Sequence, residues 1–292
     1  MRFEHTQFPN AEAEAFYASV VWGSEPGVRY RYKGAMRSGL LPSDHDLILA
    51  RGDSGAVIGA YVISPERRGY LRLLLAVDPD FRGAGVGEAL VQHAREIYLP
   101  KLAPGQTMWG TIDSTNTPSL DLSRKYFPHE RELEVLSVTR RFARVSADVV
   151  RSEGPNGVYR FELRRGGREM ASVELQEHAW WLETLGDRVS DLFLLPFLPL
   201  LLKVSKENYR FGFFHRWTGE PAAVNELWAH ALARQGLTSG LVVGDAQDAS
   251  WSSLKQHLRL GLVGRAAGAN QMVVTSSHPI LDPVLFAPIN AL

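Results

Sequence analysis

The sequence predicts an α/β (α+β) protein arranged as two lobes. Three observations carry that expectation. Strand-like apolar runs alternate with helical repeats in both halves, in the same order of strand, helix, strand, helix, strand. A polar stretch rich in turn-formers, Ser146 to Gly157, separates the halves and is the best candidate linker. One strand of the first half runs straight into the glycine-rich segment Arg82-Gly83-Ala84-Gly85-Val86-Gly87 and then into a helix. The expected lobes are residues 1–145 and 146–292, the second a degenerate copy of the first.

From the amino terminus, Ala11 to Ser38 reads as one or two helices carrying Phe16, Tyr17, Val20, Val21 and Trp22. Leu47–Ala50 and Ala56–Ile63 flank the turn Gly52-Asp53-Ser54-Gly55, which makes a hairpin. The run Leu71 to Val77 is a buried central strand stopped by Asp78-Pro79. Beyond the glycines, Val86, Ala89, Leu90, Ala94, Ile97 and Tyr98 recur at helical spacing, and Pro100 and Pro104-Gly105 close that helix. Thr107 to Ile112 is a short strand. Asp113 to Ser119 supplies caps and a proline for a helix reaching Tyr126, and Glu132 to Phe142 alternates as a strand.

In the second half, Val158–Leu163 and Met170–Leu175 form a hairpin about Arg165-Gly166-Gly167-Arg168. A strand at Tyr209–Trp217 precedes a helix from Ala222 with Val224, Leu227, Trp228, Ala231 and Leu232 on one face. Leu241–Gly244, Trp251–Leu262 and Gln271–Thr275 complete the repeat as strand, helix and strand.

The composition is that of a globular protein with a sizeable core: 292 residues, 45% hydrophobic and 22% charged. Lys plus Arg (32) balance Asp plus Glu (32), so no general attraction to nucleic acid or an anionic membrane is expected. There is no cysteine, which excludes disulfides, thiolate metal sites and a cysteine nucleophile. The opening Met1-Arg2-Phe3-Glu4-His5 lacks the pattern of a signal peptide. Leu192 to Leu202, the most apolar stretch, is interrupted by Pro196 and Pro199 and falls well short of the ~20 residues that span a bilayer. A cytoplasmic location is expected. The histidines show no His-x-x-x-His or His-Glu pairing on a helix, so no metal is expected.

A strand that feeds a helix through glycines suits phosphate for physical reasons. The first amides of the helix point outward, the helix dipole favours an anion, and glycines let the backbone approach it closely. A nucleoside-triphosphate loop would need Lys and Ser/Thr after the glycines, but Glu88-Ala89 follow Gly87. A dinucleotide fingerprint would place the third glycine one residue later and needs a βαβ unit.

The segment Val77-Asp78-Pro79-Asp80-Phe81-Arg82-Gly83-Ala84-Gly85-Val86-Gly87, with Asn116-Thr117-Pro118-Ser119 opening the helix after the next strand, resembles the signature of the GNAT N-acetyltransferase superfamily. The resemblance covers roughly Leu47 to Phe142. It implies a mixed sheet flanked by helices and acetyl-CoA (coenzyme A) as co-substrate. Backbone groups of Leu75, Ala76 and Val77 would pair with the pantetheine arm like an added strand. Amides from Arg82 through Gly83, Ala84, Gly85, Val86, Gly87 and Glu88 would surround the pyrophosphate, and Asn116 would meet the pantetheine or thioester region.

The family pattern breaks at the catalytic groups. Members commonly carry a tyrosine seven residues after that asparagine as general acid; here the position is Ser123, and Tyr126 follows nearly one turn on. Tyr126 is a candidate acid and Ser123 a rival hydrogen-bond donor to sulfur. The Gly-Phe that follows the helix in the family is Phe127-Pro128 here. The strand before the loop has no acid, only Arg72, so Asp113 is the first candidate base, with Glu66 and Glu134 behind it.

In the second half the corresponding loop, Trp217-Thr218-Gly219-Glu220-Pro221, lacks the glycine series and the arginine, and Glu220 would repel phosphate. That lobe is expected to have lost cofactor binding and to cover the cleft, complete the sheet or mediate dimerisation. The expected activity is transfer of acetyl from acetyl-CoA to a primary amine of a small molecule or peptide, by a monomer or homodimer. The alternative is a non-catalytic acetyl-CoA-binding or regulatory protein.

Overall fold

The computed structural model describes residues 1–8, 10–21, 30–32, 45–139, 148–154, 158–180, 182–184, 209–237, 239–257 and 270–280. The apolar run Leu192 to Leu202 lies outside them, as do Trp181 and the end of the helix expected to reach Leu262. Among the described residues no helix is long and apolar enough to cross a membrane.

The chain divides into two compact units that are not consecutive halves of the sequence. The first holds the described residues up to Arg131, 182–184 and those from Val273 on; the second holds those from Glu132 to Trp180 and from 209 to Met272. Each is a mixed sheet carrying helices.

The first unit contains β1 (Arg2–Gln7), α1 (Ala11–Ser19), β2 (Tyr30–Tyr32), β3 (Asp46–Arg51), β4 (Val57–Glu66), β5 (Gly69–Val77), α2 (Val86–Tyr98), β6 (Thr107–Asp113) and α3 (Thr117–Tyr126). Within this unit the strand order is β1-β3-β4-β5-β6-β14, and β14 (Asn270–Ser276), of which the unit holds Val273–Ser276, is supplied from the far end of the sequence. β1, β3, β4 and β5 are antiparallel neighbours, and β6 joins β5 in parallel. The hairpin about Gly52–Gly55 forms as expected. β1 was not expected: its short polar sequence shows no apolar run, and its pairing with β3 defines it. Tyr30–Tyr32 is a strand pairing with β11 (Leu182–Thr184), which corrects the helical reading of that stretch. The three residues are ordered by a partner strand about 150 positions away in sequence, which no local pattern reports.

Alternation along β3 and β4 buries both faces. Ile48, Ala50, Ile58, Tyr61 and Ile63 form a cluster with Val86, Leu90, Val91, Ala94 and Tyr98 of α2. Gly59 lets α2 approach, because a Cβ there would stand 2.9 Å from Val86 and 3.0 Å from Leu90. On β5, Tyr17 of α1 donates its hydroxyl to the Leu74 carbonyl at 2.8 Å.

The second unit contains β7 (His129–Thr139) from Glu132 on, β8 (Val149–Glu153), β9 (Val158–Arg165), β10 (Arg168–Trp180), β12 (Tyr209–Gly219), α4 (Pro221–Arg234), β13 (Ser239–Asp245) and α5 (Ala249–His257). Its sheet runs β7-β13-β12-β10-β9-β8. β8 lies within the stretch expected to be a linker: Val149 is buried and the strand pairs with β9, so tertiary pairing overrides the polar composition. Val224, Leu227, Trp228, Ala231 and Leu232 of α4 pack on Phe161, Leu163, Val173, Leu175 and Phe214.

The two units repeat one plan. β12 and β13 pair in parallel over Gly212–Phe214 and Gly240–Val242, as β5 and β6 do over Gly69–Leu71 and Thr107–Trp109. In both, the antiparallel partner of the first strand meets it with a register shift just beyond that segment. The closing strands are exchanged. β7, which follows α3 in sequence, pairs with β13, whereas β14 adjoins β6, where the Ser277 amide donates to the Met108 carbonyl at 2.9 Å.

Candidate active site

The site of interest begins where β5 and β6 part. Their ladder ends at Leu71 and Trp109, although β5 continues to Val77 and β6 to Asp113. On its other side β5 stays paired with β4 through Ala60/Ala76 and Gly59/Val77, across a bulge where Leu74 has φ +48°. The Asp78 amide donates to the Ile58 carbonyl at 3.0 Å. By the alternation of an antiparallel ladder, Ala76 then faces β4, while Leu75 and Val77 present their N–H and C=O groups to the open side. Of the three expected backbone positions, Leu75 and Val77 therefore face the open side, where the Val77 carbonyl accepts from Arg82 Nε at 3.5 Å, and Ala76 does not.

The loop beyond β5 begins with a short 3-10 turn, Pro79–Phe81, capped by Asp78. It then makes left-handed steps at Gly83 (φ +82°) and Gly85 (φ +79°), conformations that glycine adopts without steric cost. Gly85 is the N-cap of α2, and no side chain caps that helix. The amides of Arg82 and Ala84 are already used inside the turn, donating to the Pro79 and Phe81 carbonyls. This trims the expected set. The amides of Gly83, Gly85, Val86, Gly87 and Glu88 have no backbone acceptor in that turn or in the first turn of α2. A Cβ built on Gly83 or Gly85 would meet nothing within 4 Å, so nothing crowds the backbone at these two glycines. Such a nest of N–H groups at a helix N-terminus can hold a diphosphate.

The opposite rim is the N-terminus of α3. Asn116 caps it, its Oδ1 accepting from the Ser119 amide at 3.3 Å. Asp113 is exposed and folded into a turn, accepting from the Thr115 amide at 2.8 Å and hydroxyl at 2.6 Å. Of the remaining base candidates, Glu66 accepts from the Ser64 hydroxyl at 3.0 Å. Glu134 belongs to the second unit, where Trp251 and Lys255 hold it.

The two hydroxyl candidates on α3 part company. Tyr126 packs into the α2 cluster; its hydroxyl donates to the Glu88 carboxylate and accepts from the Gln92 amide at 2.7 Å. Glu88 also meets Lys125, and the hydrogen bonds from Lys125 and Tyr126 hold its carboxyl below the usual range. The Tyr126 proton is thus committed to a tie between α2 and α3. Ser123 is buried beneath the cleft, where its Oγ accepts from Arg72 Nη1 at 3.1 Å and lies 2.6 Å from Thr275 Oγ1. Arg72 also donates from Nη2 to the Thr275 carbonyl (2.9 Å) and hydroxyl (2.6 Å), and its guanidinium stacks 3.5 Å from the centre of the Phe127 ring. Thr275 escaped the sequence reading: it lies on β14, 203 residues from Arg72, and no local motif marks it.

In the second unit the corresponding turn has a different shape. α4 starts at Pro221, directly after β12, with Glu220 as N-cap. Pro221 has no amide proton, and a Cβ on Gly219 would stand 2.3 Å from the Met170 carbonyl. That glycine serves a close approach of backbones rather than an open anion nest.

Residues 43–120 match the family described as "Acetyltransferase (GNAT) domain". No curated protein matches the sequence. Among solved structures, the chain is similar to a tandem GNAT protein from the clavulanic acid biosynthesis pathway. Identity is 10%, covering 96% of this chain and 100% of that one, with a TM-score of 0.53. It is also similar to the N-myristoyltransferase of Saccharomyces cerevisiae solved with myristoyl-CoA. Identity there is 8%, covering 94% of this chain and 78% of that one, with a TM-score of 0.53. At such identities the likeness is one of fold. The family match covers the parted strands, the glycine loop and the helix after it, so residues 43–120 are similar to the GNAT acetyltransferase domain.

Proposed function

We propose that the first unit is an acetyl-CoA-dependent N-acetyltransferase acting on a primary amine of a small molecule or peptide. One observation carries the reading: the amides of Gly83 and Gly85–Glu88, without backbone acceptors, lie at the end of a β5 edge that β6 has left unpaired. A diphosphate joined to an extended amide-bearing arm matches both features. The amides take the diphosphate, and Leu75 and Val77 take the arm as they would take another strand. The myristoyl-CoA bound to the N-myristoyltransferase neighbour supports a coenzyme A thioester as the class, with acetyl the narrower part of the proposal.

The co-substrate supplies an activated acyl thioester. The chain supplies position: the loop anchors one end, the β5 edge aligns the arm, and Asn116 on the opposite rim can meet its amides. Orientation of this kind accounts for a large share of acyl-transfer rates. Asp113 sits on that rim as the nearest carboxylate candidate for the proton of the attacking amine.

Calorimetry with coenzyme A and acetyl-CoA, followed by acetyl transfer to a panel of amines, tests the reading. Binding with turnover of at least one amine is expected. No binding would sink it. Binding without turnover on any acceptor would favour the non-catalytic alternative, to which the engaged Tyr126 hydroxyl and the capping geometry of Asp113 lend weight.

A further inference from the structure

We propose that Tyr126 and Lys125 form a latch that holds the Glu88 carboxylate away from the amides of the glycine loop, leaving those amides to an external anion. Released, Glu88 folds back, caps α2 itself and competes with the co-substrate. The proposal rests on the acyltransferase reading and adds to it a built-in competitor and the residues that restrain it.

The first support is position. Gly85 is the N-cap of α2, so Val86, Gly87 and Glu88 are the first three residues of the helix. A glutamate at the third position can turn back and accept from the N-cap amide, as in a capping box. The positive end of the helix dipole draws a carboxylate the same way. Yet no side chain caps α2, whereas Asn10 caps α1 and Asn116 caps α3. The carboxylate best placed in sequence to close this helix end is turned elsewhere.

The second support is what holds it. The Lys125 ammonium and the Tyr126 hydroxyl both donate to Glu88 Oε1. Gln92, one turn along α2 from Glu88, donates to the Tyr126 oxygen at 2.7 Å, which leaves the phenol proton for Glu88. Tyr126 is buried in one cluster with Val86, Leu90 and Ala94, and the Arg95 guanidinium lies 5.1 Å from its ring centre. Its hydroxyl therefore stays in place and cannot follow a moving carboxylate. Lys125 is exposed, and an exposed ion pair restrains little by itself. The buried phenol is the fixed point of the latch.

The third support is charge. The hydrogen bonds from Lys125 and Tyr126 keep the Glu88 carboxyl below its usual range, so it is an anion under the conditions in which a diphosphate binds. An unrestrained anion in the first turn of α2 occupies the amides and repels a second anion. Tied to Lys125, it does neither.

The test needs no knowledge of the acceptor. Binding of coenzyme A to the full chain is measured by calorimetry in a cycle of substitutions. Tyr126→Phe removes the hydroxyl without changing any charge and should weaken binding about fivefold, the strength of one side-chain cap. Glu88→Ala keeps the backbone amide, has no carboxylate to fold back, and should bind at least as tightly as wild type. In the Glu88→Ala chain the cost of Tyr126→Phe should vanish, a rescue that general damage to α3 would not give. Lys125→Met, at an exposed position, supplies an independent comparison: its cost should be several-fold greater with Glu88 present than with Glu88→Ala. A Tyr126→Phe chain with wild-type affinity, or one that loses affinity equally in both backgrounds, overturns the latch while leaving the acyltransferase reading intact. Weaker binding by Glu88→Ala alone overturns it as well. Failure of the wild-type chain to bind coenzyme A overturns both.

Discussion

At the scale of the residue, glycines with different surroundings do different work. Gly85 has a positive φ and open space before it, so its requirement comes from backbone conformation and from the anion it faces. Gly85→Glu puts negative charge into the amide nest and should abolish coenzyme A binding by calorimetry. Gly85→Asn, which tolerates the left-handed conformation, should keep measurable affinity. Wild-type affinity in the glutamate variant would exclude this loop as the diphosphate site. Gly244 is the opposite case: a Cβ there would stand 1.9 Å from the Trp251 ring, a rigid neighbour that is itself buried. Gly244→Ala should destabilise the second unit by about 2–3 kcal/mol, read as a lower midpoint in denaturant.

At the scale of the element, the termini of helices and the edges of strands carry the function. α2 has no side-chain cap, so its first amides remain open to a ligand, whereas α3 is closed by Asn116 and its C-terminal half is tied to α2 through Tyr126 and Glu88. Tyr126→Phe removes that tie and should lower stability by about 1 kcal/mol in thermal unfolding. In the second unit, Glu134 of β7 holds α5 through the Trp251 indole at 2.7 Å and through Lys255. Burial alone would raise its pKa, but the hydrogen bonds from Lys255 and Trp251 outweigh that and hold it below 4.5. A carboxyl depressed by folding adds stability above its unfolded pKa and loses it as pH falls through the folded value. The wild-type unfolding midpoint should therefore drop on acidification below about pH 4.5. In Glu134→Gln that part of the drop should be missing. Identical pH profiles for the two proteins would remove the tie from the account.

At the scale of the whole molecule, strand exchange makes the two halves of the sequence interdependent. The first unit ends on β14, which brings Thr275 to Arg72 and Ser277 to Met108. A chain ending at residue 145 would lack that strand and leave the buried guanidinium without the Thr275 carbonyl and hydroxyl. It should bind no coenzyme A and unfold at lower denaturant than the first unit of the full chain. Equal binding would show that the strand is dispensable.

The sequence by itself determined the glycine loop, the hairpin before it and the amphipathic faces of α2 and α4. Each depends on neighbours within a few positions: a conformation that glycine tolerates, a turn that matches two strands, a helical period. Tertiary structure alone decided that Tyr126 turns to Glu88 while Ser123 turns to Arg72, that a polar stretch becomes β8, and that the last described strand completes the first unit. Those outcomes depend on pairing and burial between segments distant along the chain, and the free energy of such contacts leaves no periodic trace in the local order of residues.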